Sequence, residues 1–261
     1  MKPDALALDF DGVICNGLRE YFQTSLRAYR QIWPHTAEDC PPTWEATFGR
    51  LRPVVETGWE MPLVLRALDR GWAEADILLD WPAIRSQLLL QEDLDWREIG
   101  YQVDSLRDRW IESDLESWLA LHCFYPGVVA QLDRWISAKL PIFIITTKES
   151  RFVKALLFQA GIALPSDALY GKDCKQSKAE TLRQLKARGF GNLWFVEDRL
   201  ATLTAIQTQP DLASVTLFLA DWGYNTKAER QRATSTEALH PIALSQFESS
   251  FERWLNASES S

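Results

Sequence analysis

The 261-residue chain is poor in the side chains that soft metals and disulfides require: four cysteines, three histidines and two methionines. Cys15, Cys40, Cys123 and Cys174 form no Cys-x-x-Cys pair, and only His122 adjoins one of them. Structural zinc takes closely spaced thiolates and imidazoles, so no zinc site is expected. Long apolar runs are also missing. No stretch approaches the roughly 18 apolar residues of a membrane span. The start, MKPDALALDF, carries an apolar run too short for a secretory signal and broken by an acid. These absences predict a cytoplasmic protein with reduced thiols and no membrane partner. Positive charge is scarce as well: 28 Lys and Arg stand against 36 Asp and Glu, a formal net charge of −8. Nucleic-acid affinity rests on basic side chains neutralising phosphates, so no nucleic-acid partner is expected. A locally positive pocket for a small anion stays open.

Against these shortages stand 12 tryptophans, with 12 Phe and 6 Tyr. The length lets folding bury roughly three quarters of the extended surface, enough for a stable core without cross-links. Four short apolar runs end in polar residues: Ala5–Phe10, Pro141–Thr147, Leu193–Asp198 and Val215–Asp221. Continuous hydrophobicity over so few residues suits parallel strands buried on both faces. A weaker candidate is Ala168–Tyr170. Helical spacing lies between the later runs, at Val128 to Ile136, Phe152 to Leu157 and Ala179 to Leu185. The alternation predicts a doubly wound parallel α/β sheet, with ligands bound beyond the carboxyl ends of the strands.

From Leu18 to Leu121 the signal is helical only. Phe22, Leu26, Tyr29 and Trp33 share one apolar face, and Ile99, Val103, Leu106 and Trp110 share another. Pro41, Pro42, Pro53, Pro62 and Pro82 are expected to divide the region into short helices. A connection of this length is read as an inserted all-helical domain, 18–121, within a core of 1–17 and 122–261. The polar tail at 258–261 is expected to fray.

Strand ends carry the candidate chemistry. Asp9-Phe10-Asp11-Gly12-Val13 places two carboxylates at the end of the first run, where they repel unless a cation or a proton intervenes. A hard divalent ion such as Mg²⁺ is one answer. Solvated acids at an Asp-Gly turn are the plainer alternative. The second run ends in Thr146-Thr147-Lys148, where a hydroxyl and backbone amides can hold an anion. The third ends in Glu197-Asp198, placed to complete a cation site with Asp9. Ser177-Lys178-Ala179-Glu180 opens a helix, and Lys178 can reach a phosphate there.

This order of motifs resembles the haloacid-dehalogenase-like (HAD) hydrolase superfamily. Asp9-x-Asp11-Gly12-Val13 is similar to its first motif, Ile144-Ile145-Thr146 to its second, Lys178 to its third and Glu197-Asp198 to its fourth. Tyr125-Pro126-Gly127-Val128 and Asp221-Trp222-Gly223-Tyr224 are similar to segments of phosphoglycolate-phosphatase-like members. The resemblance covers Lys2 to Gly17 and Cys123 to Tyr224, and 18–121 falls where that family inserts a helical cap. It implies a Rossmann-like HAD core and a Mg²⁺-dependent phosphatase acting on a small phosphorylated metabolite. Asp9 would be the nucleophile that forms an aspartyl-phosphate, and Asp11 the general acid and base. Thr146, the Thr147 amide and Lys178 would bind the phosphoryl group. Mg²⁺ would be held by Asp9, the Asp11 backbone carbonyl and Asp198, with Glu197 a ligand or a neighbour of the ligands.

Two departures stand out. Many relatives carry an acid four residues after the fourth-motif aspartate, where this chain has Thr202. Lys172 and Lys175 compete with Lys178 for the third motif. A phosphomutase of the same superfamily and a non-catalytic binding protein are the alternative functions. Substrate choice is expected from the cap and from Asn16 and Arg19, with Arg50, Arg52, Glu56 and Glu60 either facing the crevice or forming a solvated helix face. Eight tryptophans lie at 33, 44, 59, 72, 81, 96, 110 and 118. Trp33 and Trp110 are expected in the core; Trp59 and Trp81 stay open between packing and a pocket wall.

Overall fold

The continuous apolar runs become the middle strands of one sheet. In the computed structural model, which describes residues 2–34 and 41–255, the strands are Ala5–Leu8 (β1), Cys15–Asn16 (β2), Cys123–Phe124 (β3) and Ile142–Ile145 (β4). Leu169–Tyr170 (β5), Leu193–Glu197 (β6), Thr216–Ala220 (β7) and Leu239–Ile242 (β8) follow. Cys40 and the tail at 258–261 lie outside the described residues. Six strands form a parallel sheet in the order β5-β4-β1-β6-β7-β8, while β2 and β3 pair antiparallel on their own. Every residue of β1, β4 and β6 is buried, because helices cover both faces of a parallel sheet.

Leu8 stands opposite both Ile144 and Val196, so the carboxyl ends of β1, β4 and β6 lie side by side. The chain runs from β1 through β4 to β5, then returns to β6 on the other side of β1. That reversal opens a crevice at those ends. The fold is the expected doubly wound α/β sheet, with a set of helices inserted after β2.

Three strands are absent from the sequence pattern. β8 contains His240 and Pro241 and is tolerated because it lies at the sheet edge, where a missing N–H leaves no partner wanting. β2 and β3 are two residues each, too short to show a period.

The chain separates into two compact units, one taking the residues up to Asn16 and from Cys123 onward, the other Gly17–His122. The second contains the helices Leu18–Ile32, Trp44–Leu51, Glu60–Asp69, Glu74–Gln91, Trp96–Ser113 and Leu115–Leu119. Phe22, Leu26, Tyr29 and Trp33 are buried, as are Ile99, Val103 and Leu106. Trp110 differs from expectation and is half-buried. Its indole N–H donates to Ser117 Oγ at 2.9 Å, and the Arg27 guanidinium lies 3.4 Å from its ring centre. Pro41, Pro42 and Pro53 lie between α-helices, as expected. Pro62 sits in the first turn of Glu60–Asp69, where no helical N–H bond is lost. Pro82 follows a break at Asp80, whose φ of −146° and ψ of 63° are not helical.

Three glutamates of this unit are met by one shared device, an indole N–H with one or more arginines. Glu20 accepts from Trp118 Nε1 at 3.1 Å and Arg107 Nε at 2.8 Å. Glu60 accepts from Trp81 Nε1 at 2.8 Å and Arg85 Nη1 at 2.9 Å. Glu92 accepts from Trp33 Nε1 at 2.6 Å and Arg66 Nε at 2.8 Å, with Arg70 Nε at 3.2 Å. A buried carboxylate is tolerated only when its lone pairs are met by donors and its charge by a cation, and each triad supplies both.

The mixed-charge stretch is therefore not a solvated helix face as a whole. Glu60 is interior, Arg50 pairs with Glu74, and Arg52 donates to Val55 O beside the Tyr21 ring. Trp81 is buried packing, and Trp59 packs against Trp96 under the Arg85 guanidinium.

Candidate active site

Asp9 leaves β1 with its N–H donated to Val196 O, which fixes its backbone against β6. Its side chain is buried, and a carboxylate there needs a charge partner. Lys178 supplies it, with Nζ at 2.9 Å from Asp9 Oδ1 and 2.6 Å from Glu197 Oε2. Lys178 is the first residue of helix Lys178–Ala187, which Ser177 and Glu180 cap reciprocally. A cation is disfavoured at a helix N-terminus, and the two carboxylates outweigh that cost. Lys172 and Lys175 are both exposed.

Asp9, Glu197 and Asp198 are buried and offer one oxygen each, all within 4.8 Å of one another. Burial pushes the Asp9 carboxyl up to about 7, with Lys178 pulling down and Glu197 and Asp11 adding to the rise. Burial likewise raises Asp198 to about 6; Asp9 adds to that, while the Tyr224 N–H and Arg199 oppose it. Glu197 is raised by burial, against the pull of Lys178. For Lys178 burial works against the charge, but Asp9 and Glu197 together hold its pKa above the usual lysine value.

Within this cluster three carboxylates face one ammonium, so full ionisation leaves two negative charges in a buried place. A divalent cation with oxygen ligands matches both that charge and the donor set. Asp9 and Asp198 are the readier ligands. Glu197 already accepts from Lys178 at one oxygen and from Arg199 N, at 3.0 Å, at the other.

The Asp11 carboxylate is not part of this cluster. It lies against Lys148, whose Nζ is 3.1 Å from Oδ1 and 3.3 Å from Oδ2. The expected repulsion between Asp9 and Asp11 is thus relieved by a separate cation for each. Thr146 is buried, and its Oγ1 accepts from Lys148 N at 3.1 Å, leaving the hydroxyl hydrogen to donate. Thr147 is exposed. Thr202 lies half-buried in helix Leu200–Gln207.

Sequence reasoning missed Lys148 and the cradle of Asp198. Tyr224 N donates to Asp198 Oδ2 at 2.7 Å, and Asn225 Nδ2 donates to Asp198 O at 3.0 Å. A Cβ on Gly12, where φ is +89°, would lie 2.1 Å from Asp198 Oδ2, and one on Gly223 would lie 2.3 Å from Asp198 Cβ. Asn16 Oδ1 accepts from the Tyr224 hydroxyl at 3.0 Å, and Arg19 is exposed. The signals were present as a lysine three residues past the end of β4 and as a Gly-Tyr-Asn run after β7.

The profile of the haloacid dehalogenase-like hydrolases matches residues 3–208. The chain belongs to that family. No curated protein matches it. Solved structures share its fold over most of both chains at low identity. A predicted phosphatase from Clostridium acetobutylicum has a TM-score of 0.58 at 13% identity, covering 95% of this chain and 97% of that one. A predicted phosphoglycolate phosphatase from Haemophilus somnus 129PT has a TM-score of 0.57 at 16% identity, covering 87% and 89%. A haloacid dehalogenase-like hydrolase from Streptococcus pneumoniae has a TM-score of 0.58 at 14% identity, covering 92% and 93%. Among the described residues, no helix of this HAD hydrolase is long and apolar enough to cross a membrane.

Proposed function

We propose that this HAD hydrolase is a Mg²⁺-dependent phosphatase acting on the monoester of a small phosphorylated metabolite. The observation that carries this reading is the buried cluster of Asp9, Glu197 and Asp198 around the single ammonium of Lys178, at the carboxyl ends of β1 and β6. The phosphatase descriptions of two fold neighbours point the same way. In the same reading 18–121 is a cap inserted into the core.

Asp9 attacks phosphorus and the ester oxygen leaves, so that a difficult displacement is split into two easier ones. Asp11 gives its proton to the departing alcohol and then takes one from the hydrolytic water. The Lys178 ammonium and the Thr146 hydroxyl, with the Thr147 amide, meet the transferring oxygens. Lys178 also orients the nucleophile through its contact with Asp9. Asp9, Asp198 and the Asp11 carbonyl, with Glu197 behind them, would hold Mg²⁺, which would supply neutralisation of charge on nucleophile and phosphoryl group. A panel of phosphorylated metabolites assayed with Mg²⁺ for inorganic phosphate tests the reading. Stoichiometric phosphate release is expected; isomerisation of a sugar phosphate without release would make the chain a phosphomutase instead.

A further inference from the structure

Lys148 stands out among the charged groups of the core because the family-type roles leave it unused. Its backbone is fixed from three sides. Its N–H donates to Thr146 Oγ1, its carbonyl accepts from Lys172 N at 3.0 Å, and Gly171 approaches so closely that a Cβ there would lie 2.8 Å from that carbonyl. Asp173 holds the next helix start by accepting from Ser150 N at 2.9 Å. The side chain is then 9% exposed and ends on both oxygens of Asp11, whose own side chain is 17% exposed. A lysine confined in this way is not an ordinary surface cation.

We infer that Lys148 is a positioning residue, fixing the plane and direction of the Asp11 carboxylate for its proton transfers. The inference rests on the phosphatase reading above. A carboxylate at a strand-end turn with part of its surface in water has rotamer freedom. An ammonium touching both oxygens removes it, and proton transfer requires heavy atoms within about 2.6–3.2 Å. Lys178 cannot take this part, since its ammonium is engaged by Asp9 and Glu197.

The two half-reactions separate this role from a general structural one. With 4-nitrophenyl phosphate, Asp9 attacks phosphorus, the P–O bond to the leaving group breaks, and 4-nitrophenolate departs as the anion without needing a proton. In the second step the water oxygen attacks phosphorus, its proton passes to Asp11, and the bond from phosphorus to Asp9 breaks. A misplaced Asp11 therefore slows the second step and spares the first.

In rapid-mixing experiments with Mg²⁺ and 4-nitrophenyl phosphate, Lys148→Met is expected to release a burst of about one 4-nitrophenolate per active site. Steady turnover should then run roughly 10- to 100-fold below that of the unmodified chain. Met keeps the apolar stem and removes the charge. Lys148→Arg, which can meet both oxygens of Asp11, is expected to recover most of the steady rate and lose the burst. Turnover of Lys148→Met within threefold of the unmodified chain overturns the inference. So does joint loss of burst and turnover in a folded variant that Arg does not rescue, since Lys148 would then act on the phosphoryl group. If the unmodified chain releases no 4-nitrophenolate, the phosphatase reading fails and takes this inference with it.

Discussion

At the scale of single residues the site is a problem of buried charge, and its substitutions follow from how each charge is met. The fold resists ionising Asp9, whose carboxyl is pushed up to about 7 by burial. Asp9→Asn removes that charge and keeps the shape, so the thermal midpoint should hold while phosphate release falls by more than about 10³-fold. Substantial residual turnover would refute the nucleophile assignment. Lys178→Ala strips the cation from two buried carboxylates and should cost on the order of 3–5 kcal/mol in denaturant unfolding, together with nearly all activity. Lys175→Ala, at an exposed position, should change neither; the reverse result would move the phosphate lysine. Mg²⁺ should offset the two excess negative charges: at about a hundredfold over its Kd it should add about 2.7 kcal/mol to stability, read as a rise in thermal midpoint. Asp198→Asn should abolish that rise.

At the scale of elements the site depends on backbone approaches as much as on side chains. Gly12 and Gly223 press from two loops onto Asp198, and neither has room for a methyl group. Gly12→Ala should lower activity at least tenfold and stability by about 1–3 kcal/mol. Gly189→Ala provides the comparison, because φ there is +99° but nothing lies within 4 Å of a built Cβ. It should show a strain cost of about 1 kcal/mol with activity intact. The same contrast explains what the sequence made legible. β1, β4, β6 and β7 were readable because continuous apolar runs have one stable use, the middle of a parallel sheet. Asp9, Glu197 and Asp198 were readable because polar groups closing such runs must face the crevice, and Lys178 because it opens a helix after Ser177. β8 was hidden by Pro241, which an edge strand tolerates. Lys148 was hidden because its partner, Asp11, is 137 residues away in sequence. The cradle of Asp198 was hidden because an amide N–H carries no residue signature.

At the scale of the whole molecule, the tryptophan excess resolves into a pattern of charge burial. Trp33, Trp81 and Trp118 each lend an indole N–H to a glutamate that also meets an arginine. Trp81→Phe would leave Glu60 short of one donor and should destabilise the helical unit by about 1–3 kcal/mol, measured by urea unfolding. An unchanged midpoint would mean that Arg85 and Thr57, whose hydroxyl donates to Glu60 Oε1 at 2.9 Å, meet Glu60 without the indole. Three other rings serve differently: Trp135, Trp194 and Trp254 pack with Phe218, Phe247 and Phe251 in one aromatic cluster of the core unit. Eight indoles stand in Gly17–His122 and four in the other unit, which alone holds the sheet. The chain therefore carries an unevenly divided optical label. Emission on denaturation is weighted toward the helices of Gly17–His122, while the β component of far-ultraviolet circular dichroism comes from the core. Where the two units melt separately the two signals have different midpoints, and where they melt as one the curves superimpose.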